Sequence, residues 1–316
     1  MKKGYIFIIL TALLYSTQEI SNKMLMQNHL DIFQLNFIVS LIAAVLLTPS
    51  AIKDLKQKNM KIKGKDCGYF AINAALSIPI SMSLLSLAGK YVQASTSAVI
   101  FSANAVFTVP FAYFLLKEKV NKKTLISLII SIIGVVIIFN PSKIIQDSEG
   151  GTDLIGIGLS LGAAIAWALF AVVSKMKIAK YGGYIFNCFV FYFGSIMLLA
   201  ILIATGRPIL SGINFQSILV LLYMGIFIKA LGYIFYLGAI KLTSAVTASM
   251  VFLIKPALAT ILAVIILGED IVPTMIIGIG FIIVGSYISF SAKKSEEKSE
   301  ENIESTMVVE LEREKL

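Results

Sequence analysis

Ten apolar runs, each about twenty residues long and separated by short polar connections, occupy this chain from position 5 to position 290. A run of about 18 or more apolar residues spans the roughly 30 Å hydrocarbon core of a bilayer as a helix, and only a helix satisfies its own backbone there. The punctuation by Gly, Pro and charge puts the spans at Tyr5–Met26, Phe33–Ile52, Gly68–Ala88, Ala94–Leu116 and Lys122–Asn140, then at Leu154–Lys177, Tyr184–Thr205, Gln216–Ile240, Ser244–Leu267 and Val272–Phe290. The expected fold class is therefore all-α, a polytopic membrane protein. With 316 residues and only 14% charged side chains, against roughly a quarter in soluble chains, no length remains for a large soluble domain.

The same composition excludes most enzymes. A single histidine, His29, and two cysteines, Cys67 and Cys188, cannot build a His-based metal site, a four-cysteine zinc site or a disulfide scaffold. The chain contains no P-loop or HExxH motif, so no catalysis, cofactor or metal is expected. The net charge of +9 comes mostly from lysines in the connections, which is a topology signal rather than a nucleic-acid one. If Lys2 and Lys3 are cytoplasmic, the same side holds 18 basic residues near the membrane, including Lys53 to Lys65, Lys117 to Lys123, Lys175 to Lys180, Lys241, Lys293 and Lys294. The opposite side has three, Lys90, Lys143 and Arg207, together with Asp147, Glu149, Asp153, Glu269 and Asp270. Both termini are expected inside a cell membrane. Lys2 and Lys3 before an apolar run imitate a signal peptide, but no small-x-small cleavage site follows, so the first span is read as retained. From position 291 the chain turns to Lys and Glu, a solvated cytoplasmic tail.

The two halves repeat. A shift of 151 lays KYVQASTSAVIFSANAVF from Lys90 over KLTSAVTASMVFLIKPAL from Lys241, pairing Thr96 with Thr247, Phe101 with Phe252, Glu118 with Glu269 and Gly134 with Gly285. A shift of 152 pairs Tyr15 with Trp167, Lys23 with Lys175 and Met24 with Met176. Each copy has five helices, an odd number, so the second enters the membrane from the other side. Such an inverted repeat is the architecture of alternating access, with the substrate near the midplane between the copies. The expected division is a first five-helix repeat at 1–140, an external linker at 141–153, a second repeat at 154–290 and the tail at 291–316.

Over residues 4 to 290 the chain resembles the EamA type of the drug/metabolite transporter superfamily. IKPALATILAVIILGED, from Ile254 to Asp270, resembles the proline-to-glutamate helix that ends each half, and WALFAVVSKM, from Trp167, resembles its Trp-containing opening helix. The first half departs from that pattern, with Ala105 opposite Pro256, Tyr15 where Trp is frequent, and Asn36 near a frequent Arg. The resemblance implies a ten-helix exporter or facilitator of small metabolites, driven by an ion or substrate gradient.

A charge at a helix centre costs about 2.5 to 3.5 kcal/mol on insertion scales, so each one needs a reason. Glu19 and Lys23 stand four apart on the first helix in the favourable order; they either neutralise each other as a structural pair or serve coupling, with Glu19 meeting an amine or carrying a proton. Lys229 and Lys255 have no acidic neighbour on their own helices and fall at similar depth in helices eight and nine, which suits an anionic group of the substrate; the bland reading is burial against carbonyls. Asn104 aligns with Lys255 and is read as a neutral hydrogen-bonding group across the same cavity, or as interhelical glue. Tyr15 and Trp167 are candidates to line the route, and Pro79, among Ser77, Ser81, Ser83 and Ser86, is a candidate to break helix three and expose carbonyls. Phe189, Tyr192, Phe193, Tyr233 and Tyr236 read as facing lipid or neighbouring helices, GIGLSLG from Gly156 as close packing, and Glu118 and Glu269 as helix-terminus carboxylates. The functional expectation is a secondary transporter of a small, amino-acid-like or carboxylate-bearing metabolite. Its rivals are an exchanger of phosphorylated metabolites on the same fold, and a non-transporting scaffold or sensor.

Cysteines placed singly at Asn59 and Ser148, in a chain without Cys67 and Cys188, test the orientation. An impermeant thiol reagent outside intact cells is expected to label position 148 alone, and labelling of position 59 alone would invert the topology.

Overall fold

The computed structural model describes residues 2–27, 30–92, 97, 100–118, 121–139, 152–267, 273–274, 276–285 and 287–288. Positions 141–151 of the linker, the tail, His29, Glu269 and Asp270 lie outside the described residues, as do the side chains of Glu19, Lys23 and Pro256. Among the described residues every regular element is helical. α1 runs Lys2–Ser16 and resumes after Thr17 as Gln18–Gln27. α2 is Ile32–Gln57 and α3 is Gly64–Ala88. α4 is Ile100–Leu116, and α5 is Lys122–Phe139. The second half follows with α6 (Thr152–Tyr181), α7 (Gly183–Ala204), α8 (Phe215–Leu242), α9 (Ala245–Ser249, then Val251–Leu267) and α10 (Ile276–Gly285). α2, α3, α6, α7 and α8 hold stretches of 22 to 28 residues, long and apolar enough to cross a membrane.

Local chemistry sets the ends. Asp31 caps α2 by accepting from the Phe33 and Gln34 amides at 2.9 and 3.4 Å, while Gln34 accepts from the Asp31 amide at 3.3 Å, a reciprocal capping box. The same carboxylate takes Arg207 at 2.8 Å, and the guanidinium lies 4.9 Å above the Phe33 ring. This joins the α1–α2 connection to the α7–α8 connection. At the other end of the bundle Lys58 donates to the Tyr181 carbonyl at 2.9 Å, and Tyr181 donates to Asp66. That joins the α2–α3 connection to the turn between α6 and α7. The turn needs glycine, because Gly182 has φ +79° and a Cβ there would stand 2.9 Å from Lys58 Nζ. Even and odd connections thus gather at opposite ends, called below the Arg207 end and the Tyr181 end.

The packing is two-fold in the sense the repeat requires. α6 lies against α3 and α4, while α1 lies against α8 and α9; α3 meets α7 as α8 meets α2. Close contacts repeat the relation residue by residue. A Cβ on Gly134 of α5 would come 2.6 Å from the Gly278 carbonyl of α10, and one on Gly285 of α10 would come 2.8 Å from the Ser127 carbonyl of α5. Gly134 and Gly285 are mates at a shift of 151, and so are Ser127 and Gly278. Likewise Gly4 abuts Leu242 and Thr243 as its mate Gly156 abuts Tyr91 and Val92. Ten helices in two inverted five-helix repeats are therefore interleaved, each copy lending its first helix to the other. Glycines bring backbones together in lipid, where packing rather than hydrophobic exclusion holds helices.

Gly285→Leu is expected to lower the thermal midpoint of the purified protein, since overpacking a fixed contact costs about 1–3 kcal/mol. Gly280→Leu, where a Cβ meets open space, is the control and should leave the midpoint unchanged; equal behaviour of the two variants would refute the crossing.

Candidate functional site

Six helices send aromatic side chains to the middle of the bundle. Trp167 of α6 lies edge-on to Tyr233 of α8, Phe252 of α9 and Phe101 of α4, with ring centroids 5.6, 5.4 and 6.1 Å away. Tyr15 of α1 meets Tyr233, Tyr236 and Phe252 at 6.0, 6.3 and 5.9 Å, and Phe191 of α7 closes on Tyr233 at 5.0 Å. All seven rings are buried. Such pairs contribute about 0.5–1.5 kcal/mol each beyond their area. Four of the seven rings are repeat mates, Tyr15 with Trp167 and Phe101 with Phe252. Tyr233 and Tyr236, read from the sequence as facing lipid or neighbours, stand inside it.

Lys229 sits beside this layer. It belongs to a π-helical stretch of α8, Met224–Leu231, is 2% exposed, and places Nζ 3.2 Å from the Tyr233 hydroxyl and 5.0 Å above its ring. No described carboxylate lies within ion-pair distance of it. α8 reaches α1 closely here, for a Cβ on Gly232 would come 2.7 Å from the Tyr15 ring. Lys255 of α9 is 5% exposed and follows Phe252 by three residues. α8 descends from the Arg207 end and α9 rises towards it, so each lysine lies about one turn, or 5 Å, from a ring of the layer on its Arg207 side. Glu19, four residues past Tyr15 on α1, falls on that side too. α1 is interrupted between them at Thr17, whose hydroxyl bonds the Leu14 carbonyl at 2.8 Å and the Tyr223 hydroxyl at 2.9 Å.

Asn104 is fully buried and donates from Nδ2 to the Phe101 carbonyl at 2.7 Å, while its Oδ1 has no partner. α4 runs away from the Arg207 end, so Asn104 stands on the Tyr181 side of the layer, opposite to Lys255. That is what inversion does to repeat mates. Pro79 does not break its helix. α3 stays continuous by widening into a π stretch, Leu76–Met82, and Ser77 and Ser81 donate to the Asn73 and Ala163 carbonyls at 2.8 Å each. Phe189 stacks on Phe70 at 4.9 Å and Tyr192 bonds Thr48 at 2.9 Å, contacts between helices. Lys175, the mate of Lys23, donates to the Ile240 and Thr243 carbonyls at the end of α8, where a cation suits the helix terminus.

Two buried polar residues of α7 escaped the sequence reading. Asn187 has neither amide atom paired, and Ser195 has no partner for its hydroxyl. With Phe191 they form one stripe at a spacing of four. The signal was available, because Asn187 and Asn36 are mates at a shift of 151.

This interleaved, inverted pair has known counterparts. The sequence pattern of the EamA-like transporter family matches residues 2–140 and again residues 154–291. The chain belongs to this family. An uncharacterized transporter of Clostridium kluyveri is 61% identical over 295 residues, covering 93% of this chain and 95% of its own length. An uncharacterized transporter of Archaeoglobus fulgidus is 24% identical over 228 residues, covering 72% and 79%. A solved crystal structure superposes with a TM-score of 0.76 at 13% identity, over 94% of this chain and 99% of that one, and shares the fold. The EamA-family chain is a multi-pass membrane transporter, with a small-molecule substrate and lipid around it.

Lys229→Met replaces a buried amino group, whose partner is one phenol, by an apolar stem of similar length. In the EamA-family protein it is expected to keep or raise the thermal midpoint. A clear fall in midpoint would mark Lys229 as a structural residue.

Proposed function

We propose that the chain is a secondary transporter that moves a small amino-acid-like or carboxylate-bearing solute by alternating access. The observation that carries this reading is Lys229, buried in the middle of α8 beside an aromatic layer, with the Tyr233 phenol at 3.2 Å and no carboxylate of the described residues within ion-pair distance. An anionic solute group is the chemistry that such a site lacks. Lys255 supplies a second cation on the same side of the layer, and Glu19 a carboxylate. A solute bearing both signs would set its carboxylate on the lysines, its ammonium on Glu19 and its apolar part on the rings of Tyr15, Trp167 and Phe252. Asn104 would meet the solute on the other side of the layer. Both arginines, Arg207 and Arg313, fall outside the spans, which favours a carboxylate over a phosphate, since phosphate sites exploit the bidentate guanidinium. Alternatively Glu19 would carry the coupling proton rather than hold the ammonium, with Lys23 four residues away on the same helix. Both termini would face the cytoplasm of a cell membrane, and net movement would be export or facilitated flow.

Counterflow in proteoliposomes, with a panel of radiolabelled L-amino acids and dicarboxylates, tests this. Lys255→Met is expected to weaken affinity about ten- to hundredfold, the equivalent of one hydrogen bond to a charged group at about 1.5–3 kcal/mol. Lys229→Met should act similarly, and the double variant less than additively. Glu19→Gln should abolish proton-driven accumulation while leaving counterflow. Exchange of no member of the panel by the wild-type protein, or normal affinity in both lysine variants, would refute the reading.

A further inference from the structure

The aromatic layer divides the interior into unlike halves. Lys229, Lys255 and the backbone position of Glu19 lie on the Arg207 side, whereas Asn187 lies on the Tyr181 side. Its place follows from the contact of Phe191 with Tyr233 at 5.0 Å: Asn187 precedes Phe191 by one turn, and α7 starts at the Tyr181 end. The side chain is fully buried, and neither Nδ2 nor Oδ1 has a hydrogen-bond partner.

A structural asparagine in a membrane helix has an easy way out, because it can donate to a carbonyl one turn back. The other buried asparagines take it. Asn36 donates to Ile32 at 3.1 Å, Asn73 to Tyr69 at 2.8 Å and Asn104 to Phe101 at 2.7 Å. Asn187 leaves the Gly183 carbonyl alone, although it stands four residues along the same helix. Its neighbours on α7, Phe186, Val190 and Phe191, are buried as well. For packing alone leucine would serve, without the cost of burying an unpaired amide. A carboxamide offers two donors and an acceptor, which matches a group with both an oxygen acceptor and an N–H or O–H donor.

We propose that Asn187 is a solute-contacting residue, a second and uncharged station on the Tyr181 side of the aromatic layer, whose carboxamide receives the carboxylate or ammonium end of an amino-acid-like solute. This rests on the amino-acid reading of the charged station. The solute would leave the lysines and Glu19 and pass the layer to a site that hydrogen-bonds it without holding its charge.

The test has two arms. In the first, counterflow of a ¹⁴C-labelled mixture of L-amino acids is compared between the wild-type protein and Asn187→Leu. The variant is expected to keep or raise the thermal midpoint while losing affinity about three- to tenfold, as for a neutral hydrogen bond; unchanged affinity or a lowered midpoint would overturn the proposal. The second arm needs no substrate. Asn187→Cys, in a Cys67→Ala and Cys188→Ala background, is expected to react with a small water-soluble methanethiosulfonate supplied to both faces of the membrane. Absence of reaction would overturn the proposal too. If the wild-type protein exchanges none of the mixture, the amino-acid reading fails, and the thiol reaction alone decides whether Asn187 lines the route.

Discussion

Five helices cannot return a chain to the side of the membrane from which it started. A duplicated five-helix unit must therefore run the second time upside down, and much of the architecture follows from this. Two inverted copies can share one interior only if equivalent surfaces meet across a two-fold axis in the membrane plane. The contacts obey that condition down to single atoms, with Gly134 on the Gly278 carbonyl and Gly285 on the Ser127 carbonyl. A leucine at either place would push two backbones apart. The exchange of first helices is part of the same solution, because α1 and α6 each complete the other copy and the aromatic layer at their crossing belongs to both.

The scaffold is symmetric but the chemistry is not. The layer uses the mates Tyr15 and Trp167, Phe101 and Phe252, whereas Lys229 is opposed in the repeat by Ile78, Tyr233 by Met82, Tyr236 by Leu85 and Lys255 by Asn104. In these pairs the second copy carries the two lysines and the α8 phenols, while the first supplies Asn104 and the apolar Ile78, Met82 and Leu85; these let α3 press against α7, where a Cβ on Gly194 would run into the Ile78 side chain. Inversion converts this difference in sequence into a difference between the two sides of the membrane, since mates lie at mirrored depths. Charge accordingly gathers on the Arg207 side of the layer, and unpaired amide oxygen and nitrogen on the other.

What the sequence disclosed and what it concealed have one cause. Span number, repeat register and the burial cost of Lys229 and Lys255 depend on the contrast between lipid and water, which is large for every residue involved. Which way Tyr233 and Tyr236 face depends on a different contrast, between lipid and protein interior. Both are apolar, so a helix such as α8 carries no polar stripe to give its inner face away. The π stretches of α3 and α8 were hidden for a related reason. They conserve the apolar run and change only how side chains are phased along it, so Pro79 reads as a break when the helix in fact widens. Asn187 is the exception that was legible, since its pairing with Asn36 in the repeat marks a polar position inside two apolar helices.

Polar atoms inside the bundle fall into two groups. Many buried hydroxyls bond a carbonyl of their own helix, as Thr11 does with Phe7, Ser16 with Leu13, Ser174 with Ala171 and Ser249 with Val246, at 2.7 to 2.8 Å. Those groups are self-contained and say nothing about a ligand. A second set is buried without a partner: the Tyr15 and Tyr236 hydroxyls, Trp167 Nε1, Ser40, Ser131, Ser195, Ser217, Asn187, and the Asn73 and Asn104 oxygens. Each such group costs about 1–3 kcal/mol, and for Ser40, Ser131, Ser195 and the Asn187 amide nitrogen the alternative of donating back to the helix is open. Five of these ten residues belong to or immediately flank the aromatic layer, with Tyr15, Trp167 and Tyr236 inside it, Asn104 beside Phe101 and Asn187 beside Phe191; Ser195 continues the same stripe of α7. Near the layer both kinds stand side by side, for Ser16 next to Tyr15 and Ser249 one turn from Phe252 are satisfied by their own helices while the Tyr15 hydroxyl and the Asn187 amide are not; burial alone therefore does not decide which groups close on themselves.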